Sequence, residues 1–279
     1  MPFAQRNGAK IYYETRGEGP PLLLVEGLGY GLWMWRGQSP ALEKRFRLIV
    51  FDNRGVGTST PLPGPYTIED FARDALAVLD AERLDRVAVL GASMGGAIAQ
   101  SLAAIAPTRV SALVLSCTLP GGPESKNMPP ETFAEVTRQV AGEAEVDRLR
   151  RTMGVAMTPS FPKDHPEVVD AIIADRLASP TNATQWMFQA MSSQGFDASA
   201  TDARLEMPVL LTTGTDDRVV PWTNSLYLYR LIPKASLVLF RGHNHLHLIE
   251  RSAEFNDAVT RFLTGTPTGI PPGRVEEVR

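Results

Sequence analysis

Three segments of the sequence carry side chains that together could perform nucleophilic catalysis. Ser93 lies in the run Gly91–Gly95, which reads Gly-Ala-Ser-Met-Gly. Two adjacent carboxylates, Asp216 and Asp217, come later in the chain, and three of the four histidines follow them at positions 243, 245 and 247. A serine hydroxyl is a weak nucleophile until a histidine, itself oriented by a carboxylate, removes its proton. The chain order serine, acid, histidine therefore predicts acyl-transfer chemistry with Ser93 as the nucleophile.

Each of these segments directly follows an apolar run that is typical of a buried strand. The runs are continuous rather than alternating, as expected for a parallel sheet that is covered on both faces. The predicted strands are residues 21–25, 46–51, 86–90, 110–116, 208–213 and 236–240, and the alternating run 10–15 predicts an antiparallel edge hairpin. A Gly-x-Ser-x-Gly turn between a strand and a helix also forces a sharp reversal that holds the serine hydroxyl above the sheet.

Amphipathic stretches between the strands predict helices. Thr67 and Asp70 form a candidate capping box for a helix that reaches about residue 84. Further helices are predicted at residues 95–106, 223–231 and 253–263. Strands and helices in alternation indicate an open α/β sheet.

The segment 120–199 interrupts this alternation, because it contains no strand pattern. It carries Pro-rich turns and helical runs at residues 131–140, 145–153, 168–177 and 185–191. We predict that it forms a helical cap over the carboxyl ends of the strands, while residues 1–119 and 200–265 form the core. The Pro- and Gly-rich residues 266–279 are expected to be a flexible C-terminal tail.

These motifs, in this order, resemble those of the α/β-hydrolase superfamily, of the serine esterase and lactonase type. Residues 52–59 resemble the family's Asp-x-Arg-Gly-x-Gly-x-Ser loop, and residues 250–255 resemble the stretch that follows the family's histidine. The resemblance extends from about Ile11 to Leu263. It implies an α/β-hydrolase fold, with a mostly parallel central sheet flanked by helices and an inserted helical cap.

The resemblance also selects one residue within each cluster. In the family the acid stands third after a glycine, which implies Asp217 and leaves Asp216 as a turn residue. A glycine usually precedes the family's base, and this fits His243 locally. Register with the stretch 250–255 instead implies His245, with Asn244 in the usual glycine position, where asparagine tolerates left-handed backbone angles. His243 and His247 would then be neighbours in the loop or the pocket wall.

Two backbone N–H groups are expected to stabilise the oxyanion of an acyl-transfer reaction. One belongs to Met94, which follows the nucleophile, and the resemblance assigns the other to Leu28 in the loop after the first parallel strand. Glu26 departs from the family, which normally has a histidine at this position. We expect Glu26 to point away from the oxyanion and to pair with a cation such as Arg54.

Apolar side chains near these loops and in the cap predict a hydrophobic substrate pocket. The candidate pocket residues are Trp33, Trp35, Met153, Met157, Trp186, Met187, Val219 and Leu246. They favour small to medium apolar esters or lactones as substrates. Alternatives with the same fold are carbon–carbon bond hydrolysis, enol-lactone hydrolysis, and cofactor-free perhydrolase or haloperoxidase activity. A non-catalytic binding module is the alternative from a different class.

Composition limits the remaining function classes. The 279 residues contain 28 Lys and Arg against 31 Asp and Glu, so the net charge of −3 gives no basic surface for nucleic acid. A single cysteine, Cys117, excludes intrachain disulfides and cysteine-based zinc or redox sites, and is expected to be a buried small hydrophobe. We expect no cofactor, no metal, no membrane span, a cytoplasmic location, and a monomer or small homo-oligomer.

Overall fold

The computed structural model describes residues 2–179, 181–265 and 273–278, and a single mixed sheet runs through them. The strands are β1 (Phe3–Arg6), β2 (Ala9–Arg16), β3 (Pro21–Val25), β4 (Arg47–Phe51), β5 (Val87–Ala92), β6 (Val110–Ser116), β7 (Val209–Gly214), β8 (Ala235–Phe240) and β9 (Val275–Val278). The α-helices are α1 (Ser39–Leu42), α2 (Ile68–Ala81), α3 (Met94–Ile105), α4 (Pro130–Thr137), α5 (Glu145–Val155), α6 (Phe161–Asp164), α7 (Pro166–Ala178), α8 (Ala183–Met191), α9 (Ser199–Asp202), α10 (Thr223–Leu231), α11 (His247–Glu250) and α12 (Ser252–Thr264). Short 3₁₀ helices lie at Leu32–Gly37 and Pro107–Arg109.

The strand order is β1-β2-β4-β3-β5-β6-β7-β8-β9. The hairpin of β1 and β2 is antiparallel and joins β4 in antiparallel register, whereas the strands from β4 through β9 run parallel. This arrangement confirms the predicted α/β fold and the predicted edge hairpin. It also brings the carboxyl ends of β3, β5, β7 and β8 to one edge of the sheet, which is where ligands bind in open α/β folds.

Helices cover both faces of the sheet and explain why its central strands are continuously apolar. On one face, α2, α3 and α10 contribute Phe71, Ile98 and Leu228 to the larger core. On the other face, α1 and α12 contribute Leu42 and Phe255. Successive side chains of a strand point to opposite faces of the sheet. Because both faces are covered, nearly every residue of these strands must be apolar.

The predicted capping box is present at the start of α2. The Thr67 hydroxyl accepts the N–H of Asp70 at 3.2 Å, and the Asp70 carboxylate accepts the N–H of Thr67 at 3.1 Å. Two of the unpaired N–H groups at this end of α2 therefore have side-chain acceptors.

The inserted segment 120–199 forms helices α4 to α8 and the first residue of α9, and its described residues contain no strand longer than an isolated bridge. That bridge, between Gly121 and Asp197, joins the beginning of the segment to its end. Its helices share a third apolar cluster that includes Met153 and Ile172, and also Leu246 from the loop after β8. The insertion therefore packs directly on the loop that carries the clustered histidines.

The C-terminal residues differ in part from the predicted flexible tail. Val275–Val278 form the edge strand β9, which pairs with β8 in parallel register. Arg261 of α12 contacts Glu276 at 3.0 Å, and the Tyr229 hydroxyl donates to the Gly273 carbonyl at 2.7 Å. These contacts lie 15 and 44 residues apart in the sequence, so composition could not reveal them. The remaining tail residues, 266–272 and 279, lie outside the described residues.

In the part of the chain that the structure describes, no helix is both long enough and apolar enough to cross a bilayer.

Candidate active site

Ser93 occupies the one-residue junction between β5 and α3. Its backbone angles are φ 55° and ψ −120°, a left-handed conformation that is unfavourable for residues other than glycine. The flanking glycines permit it: a Cβ at Gly91 would overlap the carbonyl of Gly95, and a Cβ at Gly95 would overlap the carbonyl of Val25. The turn therefore presents the Ser93 side chain at the carboxyl edge of the sheet.

The neighbouring strand holds the backbone of Ser93 in place. The N–H of Ser93 donates to the Ser116 carbonyl at 2.9 Å, and the Thr118 hydroxyl donates to the Ser93 carbonyl at 2.7 Å. Both contacts come from residues at the end of β6 or directly after it, so the strained turn is supported from outside its own loop.

The loop after β3 lies against the Ser93 side chain. An ideal Cβ built at Gly27 would lie 4.0 Å from Ser93 Oγ. The backbone N–H groups of Leu28 and Met94 have no acceptor among the described residues, whereas the N–H of Gly29 donates to Gln189 Oε1 at 2.9 Å. Two N–H groups without an acceptor therefore lie in the loop after β3 and at the first residue of α3, and donors of this kind can stabilise an oxyanion.

Asp217 is held by its own loop and by His245. Asp217 Oδ1 accepts the N–H groups of Val219 and Val220, each at 2.8 Å, and Asp217 Oδ2 lies 2.8 Å from His245 Nδ1. The Asp217 carboxylate is fully buried, whereas the adjacent Asp216 is exposed and contacts the Thr215 hydroxyl. Asp217 is therefore the carboxylate of this pair that can orient a histidine.

The contact with Asp217 fixes the orientation of His245 and the location of its charge. Burial lowers the pKa of His245, but the Asp217 carboxylate and the Cys117 side chain together outweigh this effect and raise the pKa well above 6.5. Since Nδ1 faces the carboxylate, Nε2 is the nitrogen that remains for proton transfer.

Cys117 connects this pair to the serine. A ring nitrogen of His245, an oxygen of Asp217 and the Cys117 Sγ all lie within 4.8 Å of one another. Ser116 and Thr118, which flank Cys117 in the sequence, both bind the backbone of Ser93. The Ser93 hydroxyl itself has no hydrogen-bond partner among the described residues.

Cys117, Asp217 and His245 are also the one group of three potential metal ligands in the described residues. Both oxygens of the Asp217 carboxylate already have hydrogen-bond partners. The residues present therefore form a hydrogen-bonded pair with a neighbouring thiol, and a metal would have to displace these contacts. Cys117 is 1% exposed, as expected for a buried small residue. Its position beside His245 was not predicted from the sequence.

The other two clustered histidines have different partners. His243 Nδ1 lies 2.8 Å from Glu250 Oε2, and Glu250 also accepts the Thr158 hydroxyl at 2.6 Å, so His243 helps to hold the inserted segment. His247 Nε2 lies 3.3 Å from both Ser116 Oγ and Thr212 Oγ1. Burial lowers the pKa of His247 to about 3, which keeps the ring neutral. No hydrogen bond joins His247 to Asp217 among the described residues.

Asn244, in the position where the family usually has glycine, uses its whole side-chain amide. Its Oδ1 accepts the N–H of His245 at 2.8 Å and of Arg218 at 2.9 Å. Its Nδ2 donates to the carbonyls of Val155 and Met157, each at 2.9 Å. One buried side chain therefore joins the histidine loop, the acid loop and the end of α5.

The predicted Glu26–Arg54 pair is wrong. Glu26 Oε1 accepts the N–H of Asn53 at 2.7 Å, whereas Arg54 binds both oxygens of Asp74 on α2 at 2.6 and 2.7 Å. Glu26 is 0% exposed, and its Oε2 has no partner among the described residues. Burial and, to a smaller extent, the Asp52 carboxylate raise the pKa of Glu26 well above 4.5.

The candidate pocket residues fall into three groups. Trp33 and Val219 are half-buried: the Trp33 ring makes a tilted contact with Tyr30, with 5.1 Å between the ring centroids, and the Val219 N–H donates to Asp217. On α8, Trp186 packs against Gly29 and is 39% exposed, and Met187 is 47% exposed. The other four, Trp35, Met153, Met157 and Leu246, are buried in apolar clusters. Trp35 and Met157 expose no surface, so the structure does not place them on a pocket wall.

A sequence model of the alpha/beta hydrolase fold matches residues 20–252 of the chain. The chain belongs to the α/β-hydrolase family. RutD of Azorhizobium caulinodans, assigned as a carbamate hydrolase, is 30% identical over 94% of this chain and 98% of its own length. The 3-oxoadipate enol-lactonase 2 of Acinetobacter baylyi is 26% identical over 91% of this chain and 92% of its own.

A solved structure gives the same result for the fold. The crystal structure of the enol-lactonase from Burkholderia xenovorans LB400 superimposes with a TM-score of 0.82 at 27% identity, covering 94% of this chain and all of that one. The family and these relatives identify the protein as a hydrolase.

Proposed function

We propose that the hydrolase cleaves carboxylic esters, including lactones, through Ser93, His245 and Asp217. The observation that carries the proposal is the buried contact of 2.8 Å between His245 Nδ1 and Asp217 Oδ2, in a sheet whose strand β5 ends in a serine held in a strained turn. Strain of this kind, at a residue that has no role in the core, is characteristic of functional sites.

The reaction that this arrangement supports proceeds in two halves. Ser93 Oγ attacks the carbonyl carbon of the substrate while its proton passes to His245 Nε2, and Asp217 stabilises the imidazolium that forms. The carbonyl oxygen becomes an anion and accepts the N–H groups of Leu28 and Met94, each worth about 3 kcal/mol in comparable sites. His245 then protonates the alkoxide as it departs, and Ser93 remains acylated.

Water completes the cycle. His245 removes a proton from a water molecule as the oxygen attacks the acyl carbon, and a second tetrahedral anion forms on the same two N–H groups. When this intermediate collapses, His245 returns the proton to Ser93 Oγ and the carboxylic acid is released. A lactone follows the same course, except that the leaving alkoxide remains part of the product.

We call residues 26–31, which follow β3, the oxyanion loop. Apolar side chains around this loop support small to medium apolar acyl substrates. Leu28, Tyr30 and Trp33 are half-buried in and after this loop, and the exposed Trp186 of α8 covers Gly29. Such surfaces bind uncharged groups by removing apolar area from water. The likeness to enol-lactonases supports cyclic esters within this class.

Carbamate hydrolysis is the second candidate. It is favoured by the 30% identity with RutD over nearly the whole of both chains. A carbamate carbonyl requires the same nucleophile and oxyanion donors, and His245 would protonate the leaving alkoxide of a carbamate ester or the leaving amine of a carbamic acid.

Purified protein tests the proposal with a panel of substrates: p-nitrophenyl esters of increasing acyl length, enol-lactones and other lactones, a carbamate and a vinylogous diketone. We expect hydrolysis of esters or lactones, and we expect Ser93→Ala to abolish it while the melting temperature is retained. Ser116→Ala is the matched control, because Ser116 also contacts a histidine but lies within the core. Activity confined to the diketone, or loss in Ser116→Ala rather than Ser93→Ala, would refute the proposal.

A further inference from the structure

The inserted helix α8 contacts the oxyanion loop through a buried side chain. Gln189 is 0% exposed; its Oε1 accepts the N–H of Gly29 at 2.9 Å and its Nε2 donates to the carbonyl of Arg54 at 3.2 Å. Gly29 directly follows Leu28, so Gln189 binds the peptide that adjoins the proposed oxyanion donor. Trp186, three residues before Gln189 and on the same face of α8, packs against Gly29.

The local backbone makes this contact important for the loop conformation. Residues 27–30 form a turn in which the N–H of Tyr30 donates to the Gly27 carbonyl at 3.2 Å, with Gly29 at a positive φ of 69°. A positive φ at the third residue is characteristic of a type II turn, in which the central peptide is rotated relative to the commoner type I. The N–H of this central peptide is that of Gly29. Its acceptor, Gln189, therefore favours one orientation of the peptide over the other.

The end of the same helix also approaches the second proposed donor. Ser192, which follows α8, lies with its hydroxyl 3.9 Å from Met94 Sδ and donates to the Gln189 carbonyl at 2.6 Å. The insertion thus contacts Gly29, which follows the proposed donor Leu28, and Met94, which is the other proposed donor.

We propose that Gln189 is a positioning residue that holds the turn 27–30 in the conformation in which the Leu28 N–H is available to the oxyanion. This inference rests on the proposed function. Without Gln189, the buried N–H of Gly29 loses its acceptor, and the central peptide can rotate. This rotation turns the Leu28 carbonyl and perturbs the turn that carries the Leu28 N–H. Gln189 itself does not touch the reacting atoms.

Gln189→Met tests the proposal, because methionine has a similar length and shape but neither accepts strongly nor donates. Complete loss of an oxyanion donor costs roughly 10²–10³ in kcat, and displacement of a donor is expected to cost roughly 10–100-fold. We expect kcat to fall by this factor while KM changes less than about threefold, since ground-state binding does not use the oxyanion donors. The affinity for a trifluoromethyl ketone, which forms a tetrahedral adduct with the serine, should fall in parallel with kcat.

Gln185→Met is the matched control. Gln185 lies one turn earlier on α8, is also buried, and binds the Tyr66 hydroxyl at 2.5 Å and the Leu62 carbonyl at 3.3 Å, but it does not reach the oxyanion loop. We expect a comparable loss of melting temperature with kcat retained. Equal falls in kcat in both variants, or unchanged ketone affinity in Gln189→Met, would overturn the proposal.

Amide hydrogen exchange separates this proposal from the proposed function. Faster exchange at Gly29 in Gln189→Met, but not in Gln185→Met, is expected whether or not the chosen substrate is hydrolysed. Unchanged exchange at Gly29 would refute the positioning role even if Ser93→Ala abolishes activity. Conversely, wild-type protein that hydrolyses no ester or lactone and forms no ketone adduct would refute the proposed function, and the catalytic part of the Gln189 proposal with it.

Discussion

Substitution of Asp217 by asparagine separates the orientation of His245 from the packing of the acid loop. Because Asp217 Oδ1 accepts the N–H groups of Val219 and Val220, the asparagine carbonyl oxygen must take that position. The amide nitrogen then faces His245 Nδ1 and donates a hydrogen bond to it. His245 Nδ1 becomes the acceptor and Nε2 carries the proton, which is the tautomer that cannot remove a proton from Ser93.

The expected effect is large in kcat and small in stability. An incorrect histidine tautomer in a serine protease lowers kcat about 10⁴-fold, and we expect a similar loss here. At about 1.36 kcal/mol for each factor of ten, this corresponds to about 5 kcal/mol of transition-state stabilisation. The unfolding free energy should change little, because asparagine keeps the two backbone hydrogen bonds of Oδ1 and the contact with His245.

Initial rates on the best ester of the panel, together with chemical denaturation, measure both effects. Asp216→Asn is the matched control, since it removes the same charge from the adjacent, exposed position of the same loop. We expect Asp216→Asn to retain nearly all of the wild-type kcat. The reasoning fails if Asp217→Asn keeps more than about a tenth of the wild-type kcat, which corresponds to a loss of less than about 1.4 kcal/mol of transition-state stabilisation. It also fails if the two variants lose activity equally.

Two further predictions concern buried polar side chains. Since the pKa of Glu26 is raised above 4.5 in the folded protein, its contribution to the unfolding free energy is complete below about pH 4.5 and is lost as the pH rises towards the folded pKa, by up to 1.36 kcal/mol per pH unit. Glu26→Gln should therefore gain stability relative to wild type as the pH rises from acidic to mildly alkaline values in denaturant titrations, whereas the exposed control Glu18→Gln should not. A difference that does not change with pH would contradict the raised pKa of Glu26. Asn244→Ala removes four hydrogen bonds and should lower the unfolding free energy by about 2–4 kcal/mol in urea, and a change below about 0.5 kcal/mol would show that the four partners find other acceptors or donors.

Local patterns predicted the parts of the fold that are determined by local physics. The strand Val110–Ser116 and the helix Thr223–Leu231 have the predicted bounds, and the capping box of Thr67 and Asp70 is present. Each depends on residues that are close in sequence: a continuous apolar run, or a hydroxyl and a carboxylate three residues apart. Gly91 belongs to the same local pattern, because a Cβ there would overlap the Gly95 carbonyl four residues later, whereas the crowding that Gly95 relieves is with Val25 of β3.

Partners of buried polar groups could not be predicted in this way. The sequence suggested Arg54 as the cation that pairs with Glu26. In the structure, the Nε and Nη2 groups of Arg54 instead donate to Asp74 of α2. The choice depends on where α2 packs, which no local pattern contains. The same applies to Cys117, whose contact with His245 arises only because β6, β7 and β8 are neighbours in the sheet.

The inserted segment is joined to both halves of the candidate site by buried amide groups rather than by apolar contacts alone. Asn244 links the acid and histidine loops to the end of α5, and Gln189 links the oxyanion loop to α8. Each amide both donates and accepts, so removal of either partner leaves a buried polar group unpaired, which is costly. A cap that only shielded the substrate from water would need no such contacts. Under the proposed function, the insertion therefore helps to set the catalytic geometry, and changes of specificity in this segment must preserve the partners of Asn244 and Gln189.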